Sequence, residues 1–181
     1  NIASDCGGGL SFDNSPLTIS LDRLTVQRNV AVDGGGLCVD MVYRDPADVG
    51  GQEGYYQDTL LNVRASLFAG NEASDDGGGL YVKAGQVSLT NVVVDSNSGP
   101  SGGGLVVKGS PVTVNSAIFS SNTGGAALVV YDDDDAGVGT LAVSYSDIWD
   151  NDSVAVGMDS PVGTGGNIAE DPDFTGVYEL A

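Results

Sequence analysis

The chain contains no histidine, so neither a His-dependent catalytic triad nor imidazole ligation of a metal is open to it. Cationic side chains are scarce: 6 Lys and Arg stand against 25 Asp and Glu, a formal charge of −19. Too few cations are present to displace counterions from phosphates, which excludes nucleic acid and anionic lipid as partners. No apolar run approaches the ~18 residues of a membrane span, so the chain is expected to have none. Proline is limited to 6 residues, and the 28 glycines lack the strict every-third spacing of collagen. Two cysteines, Cys6 and Cys38, decide little about compartment. Neither an initiator Met nor a signal peptide opens the chain, so the numbering is expected to start after processing or inside a longer protein.

What is present is repetition. The 181 residues are 41% apolar, enough for one domain with a core and too apolar for a disordered chain. The string Gly-Gly-Gly-Leu ends at Leu10, Leu37, Leu80 and Leu105, and a degenerate copy ends at Leu128. These Leu spacings are 27, 43, 25 and 23, the long one holding an insertion over residues 41–58. Asparagines recur at Asn29, Asn71, Asn97, Asn122 and Asn151. Three positions before them stand Val26, Phe68, Val94, Phe119 and Ile148; eight before stand Leu21, Val63, Leu89, Val114 and Val143; ten before stand Ile19, Leu61, Val87, Val112 and Leu141. Five before is a smaller, mixed set, Leu24, Ser66, Val92, Ala117 and Ser146.

Steps of two within each pair of columns are the strand period, and the step of three between pairs marks a corner. The alternation resumes after each Gly run, as in Leu37/Val39 and Leu80/Val82. Each repeat therefore offers three short strands with one apolar edge each. Such strands bury their edges only by coiling into a triangular rung and stacking in parallel, about 4.8 Å apart. The predicted fold is all-β: a right-handed parallel β-helix (β-solenoid) of about six rungs of about 25 residues, one domain over 1–181 with a closing segment at 152–181. Abundant Val, Thr, Ser, Asn and Gly argue against helix. The Gly runs suit a tight corner shared by every rung. The asparagines are expected at another corner, in the left-handed region, with stacked amides bonded along the axis.

Phe68-x-x-Asn71 and Phe119-x-x-Asn122, each followed by a Gly run, resemble the repeats of polymorphic outer-membrane proteins and related bacterial β-helix proteins. The segment from Ser146-Asp147-Ile148-Trp149 through Asp171-Pro172-Asp173-Phe174 to Tyr178-Glu179-Leu180 resembles the closing part of secreted β-helix proteins with interchangeable C-terminal anchors. The resemblance implies export to the bacterial surface or medium. Both ends read as cut, since a bare solenoid end exposes edge strands. A fragment of a longer chain, or a subunit stacking end to end, is expected. The partners are then other copies or flanking parts of the same solenoid, and surface glycans.

Three groups are candidate sites. Tyr43, Arg44, Asp45, Tyr55 and Tyr56, in the insertion, mix aromatics with charge as a sugar site does, or form a packing flap. Asp132, Asp133, Asp134 and Asp135 are hard oxygen ligands suited to Ca²⁺, the one cofactor considered, or a solvated turn. Asp33 and Asp76, with Asp5, should stack beside the Gly corner, where like charges need a cation or screening. One exterior column reads Asp13, Asp40, Lys83, Lys108 and Tyr131, which sets Asp40 against Lys83. Cys6 and Cys38 are offset by five residues, roughly 16 Å along a strand, whereas a disulfide needs Cα atoms within about 7 Å. No bond between them is expected in a regular stack. No catalytic residue is assigned. The expectation is a secreted or cell-surface structural or adhesive segment. The alternative is a polysaccharide-binding or pectate-lyase-like β-helix protein, Ca²⁺-dependent if the Asp groups bind the ion, in which Arg44 alone sits among several acidic residues.

Overall fold

The computed structural model describes residues 1–13, 18–41, 60–134 and 137–174. It is a β-solenoid of about 5 turns with about 27 residues per turn, and no helix occurs among the described residues. Three parallel sheets run its length. The first stacks Leu10–Asp13, Leu37–Asp40, Leu80–Lys83, Leu105–Lys108, Ala126–Tyr131 and Ser153–Val156. The second stacks Thr18–Asp22, Leu60–Arg64, Gln86–Thr90, Pro111–Asn115 and Thr140–Ser144. The third stacks Thr25–Gln27, Leu67–Ala69, Val93–Asp95, Ile118–Ser120 and Asp147–Trp149. With six strands in the first sheet and five in each of the others, the solenoid makes about 5 turns where about six rungs were expected.

The register follows the apolar columns. Phe68 pairs with Val26 and Val94, and Phe119 with Val94 and Ile148. Leu37, Leu80, Leu105 and Leu128 are successive partners, all fully buried. The insertion is absorbed between two adjacent rungs, since Ile19 still faces Leu61.

The asparagine corner is a continuous hydrogen-bonded ladder. Asn29 Nδ2 donates to Asn71 Oδ1 at 3.0 Å, Asn71 to Asn97 at 2.9 Å, Asn97 to Asn122 at 3.1 Å and Asn122 to Asn151 at 2.8 Å. The same oxygens accept the backbone N–H of the preceding Asn, as from Asn71 to Asn97 at 2.9 Å. The second amide hydrogen satisfies a main-chain carbonyl, Asn97 Nδ2 donating to Phe68 O at 3.0 Å. One detail corrects the sequence reading. The left-handed residue is the one before each Asn: Arg28, Gly70, Ser96, Ser121 and Asp150 have φ of 50–58°. Turning the chain one residue early leaves the amide pointing inward, along the stack. A second left-handed column, Arg23, Ala65, Asn91, Ser116 and Tyr145, makes the corner between the second and third sheets. There Ser66 Oγ accepts the Leu24 N–H at 3.1 Å, and Ser146 Oγ the Ala117 N–H at 3.1 Å, which is why that position is mixed in type.

The four central strands of the first sheet are buried on both faces. Its outward residues Cys38, Tyr81, Val106 and Val129 form a second small core. The run-on apolar strings Leu37-Cys38-Val39, Leu80-Tyr81-Val82 and Leu105-Val106-Val107 carry this signal, being continuous where a half-buried strand alternates. The cover is the chain that enters each Gly run. Gly7, Gly34 and Gly77 have positive φ of 58–73° and fold that chain back over the strand that follows. A Cβ on Gly7 would stand 2.7 Å from Ser11 Cβ.

This fold-back overturns the expectation about the cysteines. Cys6 and Cys38 form a disulfide, with Cα atoms 5.7 Å apart. The strand register is nevertheless the one read from the sequence, Leu10 facing Leu37 and Ser11 facing Cys38. Five residues span roughly 16 Å only along a straight strand. The turn at Gly7 returns residue 6 to the level of Ser11, whose neighbour is Cys38.

Candidate functional site

Tyr43, Arg44, Asp45, Tyr55 and Tyr56 lie outside the described residues, as does Asp135. The remaining acidic candidates lie on the outer side of the first sheet and in the loop after it. Asp33 Oδ1 accepts the Asp76 N–H at 3.1 Å, so the backbone of the next rung holds this carboxylate. Burial raises the Asp33 carboxyl above the ordinary range, opposed by that hydrogen bond and reinforced by Asp76. Asp133 pairs its N–H and C=O with Gly137 at 2.8 and 2.7 Å. Asp132 and Asp134 face solvent. The Asp133 side chain turns inward, its Oδ2 standing 3.9 Å from Lys83 Nζ and 3.8 Å from Lys108 Nζ.

Asp40 is the Cα partner of Lys83, as the column requires. Among the described residues the ammonium groups of Lys83 and Lys108 pair with Asp133 instead of Asp40. Asp40 Oδ1 is buried with no hydrogen-bond partner among the described residues. Burial raises the Asp40 carboxyl; Lys83 lowers it in part, and Asp13 adds to the rise. Burial also pushes up the Tyr81 phenol, reinforced by Asp40 and Asp33. Among the described residues no group of three or more Asp, Glu or Cys side chains gathers as a metal site would need.

A different feature, which no motif announced, is a groove of about 690 Å³ on the outer face of the second sheet. Three successive rungs supply equivalent positions to it: Ser20, Asn62 and Ser88 from one outward column, and Asp22, Arg64 and Thr90 from the next. Arg23, Ala65 and Asn91, the left-handed corner residues, form its edge. Alternation makes this face polar, because Ile19, Leu21, Leu61, Val63, Val87 and Leu89 point the other way into the core. Arg23 Nε is 3.2 Å from Asp22 Oδ2, an exposed pair worth under about 1 kcal/mol. Arg64 makes no ion pair among the described residues. Arg23 and Arg64 are 41 positions apart and belong to no local motif, so no sequence signal joins them.

No helix among the described residues is long and apolar enough to cross a membrane. No protein-family model, curated protein or solved structure matches the chain.

Proposed function

We propose that the chain is a secreted or cell-surface structural or adhesive segment, part of an extracellular filament or surface layer. The observation that carries this reading is the unbroken ladder: one corner amide and one apolar column repeat along the described rungs. Stacked rungs tied by axial hydrogen bonds make a stiff rod with long side faces, a form suited to presenting surface. The Cys6–Cys38 disulfide supports export, because such bonds persist in oxidising compartments. Other copies or flanking parts of the same solenoid, and surface glycans, are the partners this reading calls for. On intact cells of the source organism, an antibody against the folded solenoid should label the surface without permeabilisation. Labelling only after permeabilisation would overturn the proposal.

The groove on the second sheet favours a second reading, a polysaccharide-binding or polysaccharide-cleaving β-helix protein. Cleavage would have to proceed without histidine. Incubation with polygalacturonate, alginate and neutral glycans decides it: unsaturated products, lost on Arg44→Ala, would establish a lyase, and intact polymer would leave the structural reading in place.

A further inference from the structure

The groove on the second sheet has a charge unlike that of the whole molecule. Among the described residues two guanidinium groups, Arg23 and Arg64, line it against one carboxylate, Asp22, a local balance of one positive charge. The chain as a whole carries −19. Of the 6 basic residues, Lys83 and Lys108 already converge on Asp133 on another face. The groove is thus a small cationic island on an acidic rod. A long polyanion would meet the repulsion of the whole surface, whereas a ligand with a single negative group would be drawn to the island alone.

The lining defines the rest of the ligand. Ser20, Ser88 and Thr90 offer hydroxyls that both donate and accept, and Asn62 and Asn91 offer paired donor and acceptor atoms. Among the described residues no aromatic side chain lines the groove. Equivalent polar atoms recur once per rung, about 4.8 Å apart, a spacing suited to hydroxyl groups of a saccharide laid along the axis. A guanidinium fork binds a planar carboxylate through two parallel hydrogen bonds, and Arg64 has its fork uncommitted among the described residues.

The geometry points to a glycan-binding site for an otherwise neutral saccharide bearing one carboxylated sugar, with Arg64 and Arg23 on the carboxylate and the Ser, Thr and Asn side chains on the hydroxyls. This assignment deepens the adhesive reading and rests on it for its biological sense.

The test compares three probes on the full chain by titration calorimetry and amide-resolved NMR: a neutral lactosamine tetrasaccharide, the same tetrasaccharide with one terminal sialic acid, and polygalacturonate. The sialylated probe should bind at least tenfold more tightly than either of the others. It should shift the amides of Asn62, Ser88 and Thr90, and lose affinity as salt rises. Arg64→Ala and Arg64→Lys should each lower its affinity tenfold or more, the second because charge without the fork is insufficient. Equal binding of neutral and acidic probes, shifts confined to another face, undiminished binding by Arg64→Lys, or no saturable binding up to about 10 mM would each overturn the assignment. Surface labelling of cells is read separately and does not depend on Arg64, so a failed groove and a failed adhesive role give different results.

Discussion

At the scale of single residues, the backbone of this solenoid is held by strained corners. Ala65 and Gly70 occupy left-handed positions with φ of 47° and 58°. A Cβ at Gly70 would meet nothing closer than Arg28 Cγ at 3.9 Å, so space is available and only the backbone objects. Gly70→Val should therefore destabilise by about 1–2 kcal/mol in denaturant unfolding. Ala65→Gly should stay within about 0.5 kcal/mol of the parent, since relief of strain offsets the greater freedom of the unfolded chain. Asp40 makes a different demand. Its carboxyl is raised from 3.8 by burial, so the native state takes up the proton more readily than the unfolded chain. The stability linked to that proton is complete below 3.8 and is lost as pH rises through the native value. Asp40→Asn should raise the melting temperature at pH 7, and the gain should close as pH falls to the carboxylate range. An equal gain at every pH would show that charge burial is not the cause.

At the scale of the element, each corner is a ladder whose members complete one another. Asn97 is fully buried, donates to Asn122 and to the Phe68 carbonyl, and accepts two hydrogen bonds from Asn71. Asn97→Ala strands those partners away from water and should cost about 3 kcal/mol or more. Asn97→Asp should not rescue it, because a carboxylate cannot donate to either acceptor. The spacing of the asparagines made the ladder legible in the sequence. The left-handed residue before each was not legible, because Arg, Gly, Ser, Ser and Asp share no chemistry. They share only a place in the turn.

At the scale of the whole molecule, each rung contacts its neighbours alone, so a cross-link acts locally. The Cys6–Cys38 bond ties the first rung to the second. Cys6→Ser, or reduction, should release amide protection in residues 1–13 while the amides of Val94 and Phe119 keep theirs by hydrogen exchange. Uniform loss of protection would mean that the solenoid unfolds as one unit.

The repeat, the inward columns, the strand register and the stacked amides could be read from the chain alone, because a period of two and a fixed spacing between rungs are properties of sequence distance. The disulfide, the second small core, the diversion of Lys83 to Asp133 and the arginine groove could not. Each depends on where a positive-φ turn or a stacked neighbour brings residues far apart in the chain. Only the path of the folded backbone sets those distances.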